Sequence, residues 1–152
     1  MREINGMRQE AMITEVEAYR GLEDNASHAS RGLTPRTHIM FDQGGVWYVY
    51  LIYGMYHCLN IVTERQGYPA AVLIRSVTRI SGPGRICKFF SIDRALNGKQ
   101  AIPSNGLWIE DRGIQIVPAH IKKSPRIGVD YAGVWAQKPW RFFISPEEES
   151  HF

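Results

Sequence analysis

Apolar and polar positions alternate first at residues 12–19. The run Met-Ile-Thr-Glu-Val-Glu-Ala-Tyr contains β-branched residues and predicts a strand. A period of two places Ile13, Glu15, Glu17 and Tyr19 on one face, with Met12, Thr14, Val16 and Ala18 on the other. Gly21 ends this strand, residues 23–30 offer one or two turns of helix, and residues 31–36 read as loop. Gly44-Gly45 opens the strongest β signal, residues 46–52, and a second run, 57–62, follows Tyr53-Gly-Met-Tyr56. Two such runs around a glycine predict a hairpin with a short loop. Residues 70–77 form a strand apolar enough to be buried on both faces. Ser81-Gly-Pro-Gly-Arg85 predicts a helix start, with Ser as cap and Pro in the first turn. Residues 107–110 and 114–117 flank Asp111-Arg-Gly113 as a further predicted hairpin, and 140–144 is a late strand. Strands outnumber helices and neighbours are largely antiparallel, so the expected fold is mainly β or α+β.

The 152 residues fit one domain over 1–152 with a real core, and 44% hydrophobic with 22% charged residues is ordinary for a globular protein. No apolar run approaches the roughly 18 residues of a membrane span, and the first six residues carry no signal-like stretch. A net charge of +3 tolerates a polyanionic partner without demanding one. Cys58 and Cys87 lack CxxC spacing, which argues against zinc and for reduced, buried thiols. The only biased segment is the acidic run Glu147-Glu-Glu149.

Six features hold candidate chemistry. Glu15 and Glu17 share a strand face with backbones about 6.5–7 Å apart, and taken alone they suit a solvated face. Arg75, inside an apolar strand, needs an acceptor, and a pair with Glu17 would serve either structure or a general base. The tip Tyr53-Gly-Met-Tyr56 is apolar where hairpin tips are normally polar; it suits a wedge into stacked bases or a protein contact. His28 alone reads as an exposed or capping histidine, and Asn60 as an amide that must bond within an apolar strand. Ser81-Gly-Pro-Gly-Arg85 offers N–H groups and a cation to an anion, although a plain capped helix is the commoner outcome.

In order along the chain, T-E-V-E-A-Y, E-D-N-A-S-H-A-S-R-G-L-T-P-R, Y-V-Y-L-I-Y-G-M-Y-H-C-L-N, V-L-I-R, S-G-P-G-R and R-I-G-V-D-Y-A-G-V-W-A-Q-K-P-W-R-F run from about residue 13 to 143. This ordered set resembles the alkyladenine (3-methyladenine) DNA glycosylases. The resemblance implies a curved, largely antiparallel, open-barrel-like sheet with peripheral helices and a protruding, DNA-intercalating hairpin. It implies Glu17 as general base, with Arg75 and the Ile127 carbonyl helping to hold the water. Tyr19 would stack on one face of the flipped base and His28 and Tyr50 on the other, while Asn60 would crowd the 2-amino group of guanine. Tyr53 would enter the duplex, and Met55, Tyr56 and Arg85 would contact DNA. The implied partner is double-stranded DNA carrying a damaged purine: 3-methyladenine, 7-methylguanine, hypoxanthine or ethenoadenine. With no lysine at a matching site position, a monofunctional, monomeric glycosylase without metal or cofactor is expected, in the nucleoid or cytoplasm of a bacterium or the nucleus of a eukaryote.

The chain departs from that pattern. Only about a dozen residues precede the T-E-V-E-A-Y strand, and an insertion of roughly 20–30 residues usual after Arg75-Ser-Val is missing. A shortened chain leaves open a catalytically weak or inactive module that binds damaged DNA. The Glu15/Glu17 pair leaves open a carbohydrate glycosidase, its spacing being loosely compatible with an inverting site.

Overall fold

In the computed structural model residues 1–145 are described; the acidic run at 147–149 lies outside them. Nine strands and one α-helix occur among the described residues: β1 (Arg2–Ile4), β2 (Met7–Gln9), β3 (Ile13–Arg20), β4 (Trp47–Ile52), β5 (Tyr56–Val62), β6 (Ala70–Val77), β7 (Ile80–Ser81), α1 (Pro83–Phe89), β8 (Lys122–Ser124) and β9 (Arg141–Phe143). The main sheet is open and antiparallel in the order β4-β5-β6-β3-β9-β8, with β7 added to β6. It is covered on both faces, as the apolar β6 run requires. Trp47, Val49, Leu59 and Ile74 pack one face against α1 through Ile86, Cys87 and Phe90. Tyr48, Val62 and Ala71 pack the other against 3-10 turns at His28–Arg31 and His38–Phe41. Trp47 also donates from its indole N–H to the Leu107 carbonyl at 3.1 Å, which satisfies the one polar atom this large side chain buries.

The pairing of β3 with β6 contains two one-residue irregularities that cancel. Ile13 pairs with Val77, Glu15 with Ser76 and Val16 with Ile74, which leaves Thr14 and Arg75 as the extra residues. Each bulge reverses the facing of the residues after it. Ile13 therefore does not share a face with Glu17 and Tyr19, as strict alternation predicts; with Val77 it joins the cluster on the α1 face. The bulges are the local device that lets one pair of strands serve the core at one end and a site at the other.

Three further differences have local causes. Ser81 is not the cap of α1. It pairs with Ser76 in the sheet, and Gly82, at φ 105°, precedes the helix with Pro83 in its first turn. Residues 107–117 form neither the expected turn nor a paired hairpin; at its centre only a local contact remains, the Gly113 N–H donating to the Asp111 carboxylate at 2.8 Å. Leu107 bridges to Arg2 instead, and the Trp108 N–H donates to the Met1 carbonyl, so the N-terminal hairpin takes that edge. The helical signal at 23–30 produces only the 3-10 turn at His28–Arg31. The β1–β2 hairpin itself has a legible cause: Asn5 and Gly6, at φ 50° and 77°, are the residue pair that a two-residue type I′ turn prefers.

Candidate functional site

Strand register assembles the site. On one face Arg141 of β9, Glu17 of β3, Leu73 of β6, Asn60 of β5 and Tyr48 of β4 lie in a single row across five strands. Over the Leu73, Asn60 and Tyr48 part of this row opens a cavity of about 140 Å³, lined also by Tyr19, His28, Tyr50, Arg75 and Ile127, whereas Glu17 lies behind the lining residues. A cavity of about 150 Å³ takes up a benzene ring, so a ring-sized guest is within its capacity.

Glu17 is wholly buried beside this cavity. Its carboxylate accepts from the Ile127 backbone N–H at 2.8 Å and from the Tyr19 hydroxyl at 2.7 Å, and Arg75 Nε lies 3.4 Å away. All three partners offer hydrogen, so the surroundings suit an acceptor-only carboxylate. Burial, followed by the charge of Glu17, pushes the Tyr19 phenol far above its ordinary value, so its proton stays in place to be donated. The resemblance named the Ile127 carbonyl; the contact to Glu17 is made by the Ile127 N–H.

Across the cavity, His28 Nδ1 is 3.0 Å from the Tyr48 hydroxyl, and its ring meets Tyr50 edge-on at 4.6 Å. The Asn60 amide donates to the Tyr48 carbonyl at 3.1 Å, which accounts for a polar side chain in an apolar strand. Burial, with help from Arg36 and Arg31, pushes the His28 imidazole down to about 4. The unfolded chain, with an imidazole near about 6.5, therefore takes up a proton that the folded chain refuses between these two values. Stability contributed by neutral His28 is present above about pH 6.5 and is lost as pH falls to about 4. Urea midpoints should drop across this window, and His28→Gln should flatten part of the drop; an identical slope in the variant contradicts it.

Beyond the cavity, β4 and β5 extend into a bare tip. Tyr53 is 84% exposed and Met55 66%, with Tyr56 also exposed. Tyr53 and Gly54 have φ of 52° and 70°, and the Met55 N–H donates to the Ile52 carbonyl at 3.2 Å. Positive φ on a tyrosine costs about 1 kcal/mol or more. Tyr56 turns back onto the first turn of α1, so close that a β-carbon on Gly84 would lie 3.1 Å from its ring. Arg85, on the same turn, is exposed.

A family model described as methylpurine-DNA glycosylase matches residues 1–81 and 77–148. The chain belongs to that family. Membership makes it a DNA glycosylase, a hydrolase of base-excision repair. Relatives provisionally named 3-methyladenine DNA glycosylase include a protein of Methanocella arvoryzae, 48% identical with 94% of this chain and 80% of the relative covered. Others are from Myxococcus xanthus, 46% identical over 93% of this chain and 77% of the relative, and Sodalis glossinidius, 48% identical over 86% and 78%. The two matched pieces overlap at 77–81, where β6 turns directly into β7.

Two residues that support this site lie within the family-like stretches but had no role assigned from the sequence. Arg126 and Asp24 are both fully buried and form a bidentate pair at 2.6 and 2.8 Å. Arg126 also donates to the carbonyls of Ala18 and Trp135 and lies over the Tyr19 and Trp140 rings, 4.6 and 5.0 Å from their centres. It thus fixes the ring of Tyr19 and, as the neighbour of Ile127, the N–H that reaches Glu17. Among the described residues, no group of three or more His, Cys, Asp or Glu side chains could hold a metal ion. Among them, too, no helix is long and apolar enough to cross a membrane.

Proposed function

We propose that the protein excises alkylated or deaminated purines from duplex DNA, using water activated by Glu17. The observation that carries this reading is a fully buried carboxylate behind an aromatic cavity, held by the Ile127 N–H, the Tyr19 phenol and the Arg75 guanidinium, three residues that line that cavity. A base inside a duplex is out of reach, so the target must be flipped, at a cost of a few kcal/mol that is least for damaged pairs. Tyr53 is suited to fill the space the base leaves, since its ring stands free at the end of a two-stranded arm. The purine then lies between Tyr19 on one side and His28 and Tyr50 on the other, where stacking accepts many rings without reading their edges closely. Asn60 supports discrimination against guanine from the cavity floor, while Met55, Tyr56 and Arg85 flank the DNA. Glu17 takes a proton from water as the water oxygen bonds to C1′. The bond from C1′ to the purine nitrogen breaks, and its electron pair leaves with the base. Alkylated purines already make good leaving groups, so the reaction asks chiefly for a placed nucleophile.

A two-carboxylate sugar hydrolase fits less well, because Glu15 is already engaged by Ser76, Arg75 and Arg141 and is held below its ordinary range. Burial raises its pKa, but the Ser76 and Arg141 hydrogen bonds and the two guanidinium charges outweigh that. The test is release of free hypoxanthine from an inosine-containing duplex, leaving an uncut strand with an alkali-labile abasic site. Tyr53→Ala should weaken binding to that duplex by about tenfold or more, as loss of a stacking ring costs about 1–3 kcal/mol. Tight binding without base release would mean a damage-binding module, and unchanged binding in Tyr53→Ala would assign the tip to another partner.

A further inference from the structure

We propose that Glu15 is a positioning residue for excision: it holds the Arg75 guanidinium beside Glu17 without letting it close onto the carboxylate that must accept the proton. This rests on the proposed role of Glu17. Arg75 Nε is shared, 3.2 Å from Glu15 Oε1 and 3.4 Å from Glu17 Oε1. Glu15 is itself pinned from two other directions. Its Oε2 accepts from the Ser76 hydroxyl at 2.8 Å, and its Oε1 accepts from Arg141 Nε. Arg141 in turn reaches the Ser124 hydroxyl at 3.2 Å, which ties the group to β8.

The backbone is shaped around this contact. Arg75 is the extra residue of a bulge, opposite no residue of β3, and bulges re-aim side chains in this way. The extra Thr14 restores the register one step away, so the irregularity is confined to the point where Glu15, Arg75 and Ser76 meet. Two carboxylates, Glu15 and Glu17, face two guanidinia, Arg75 and Arg141, so the cluster is balanced in charge. Neither terminal nitrogen of Arg75 has a hydrogen-bond partner among the described residues, and Arg75 lines the cavity. Its Nε is therefore committed to holding position while its two Nη groups stay available at the reacting centre.

Removing the charge of Glu15 takes away one of the two anions that compete for Arg75. In so shielded a site the guanidinium would then settle on Glu17 and occupy the lone pair a water needs. Single-turnover excision from an inosine duplex by Glu15→Gln, normalised to folded protein, should fall about tenfold to a hundredfold, the scale of a misplaced group. Binding to an abasic-site duplex should stay within about twofold of wild type, and Glu15→Asp, which keeps the charge, should recover part of the rate. A purely structural role would lower the melting temperature but leave the normalised rate unchanged, and that result overturns the proposal. A loss as deep as that of Glu17→Gln also overturns it, because Glu15 would then act on the substrate directly. Absence of excision by the wild-type protein would instead remove the functional reading on which the proposal stands.

Discussion

Arg126→Met is expected to destabilise the protein by about 3–5 kcal/mol, the usual consequence of stranding one member of a buried ion pair. Small domains have only about 5–15 kcal/mol of stability in total, so the variant should unfold at markedly lower urea. The cause is specific. Asp24 is fully buried and takes both of its close charged contacts from the Arg126 fork. The Ala26 N–H, at 3.1 Å, remains after the change but cannot replace a guanidinium. Two carbonyls, of Ala18 and Trp135, lose a donor at the same time. Neutralising both partners in Arg126→Met/Asp24→Leu should regain much of the loss, because no buried charge is then left alone. Urea titration of the three proteins measures this directly. A single variant within about 1 kcal/mol of wild type would show that the pair does not clamp the site.

The same residue marks where sequence reasoning stops. Arg126 lies in Ser124-Pro-Arg-Ile-Gly128, a loop with no period to give its direction, and Asp24 lies in an equally irregular stretch a hundred residues earlier. Nothing local says that the two meet. Strands β4, β5 and β6 were legible because both faces of β6 and of the hairpin's base are buried, which writes long apolar runs into the chain. Arg75 was legible for the opposite reason, as a charge where burial was expected. Its partners were less so. The bulges at Thr14 and Arg75 break alternation without any glycine or proline to announce them, and that is why a strict period of two puts Ile13 on the wrong face. The hairpin expected at 107–117 is replaced by another pairing: Leu107 bridges to Arg2 and the Trp108 N–H donates to the Met1 carbonyl, and residues 111–113 make no turn. The cavity residues were gathered by family resemblance; the sheet register explains why Glu17, Tyr48 and Asn60, which come from three different strands, stand in one row.

Glu17 bears the central claim. Gln at this position keeps the shape and can still accept from the Ile127 N–H, but it cannot take a proton from water. The expected loss is about a hundredfold to ten-thousandfold in the chemical step, which is the range for a general base and corresponds to about 2.7–5.5 kcal/mol of barrier. Recognition should survive, because stacking by Tyr19, His28 and Tyr50 and insertion of Tyr53 do not use that proton. The most direct measurement is the single-turnover rate of hypoxanthine release from an inosine duplex by wild type and Glu17→Gln, with affinity for an ethenoadenine duplex measured on the same preparations. The prediction is a rate at least about a hundredfold lower at matched affinity. Equal rates in the two proteins would mean that Glu17 is not the base.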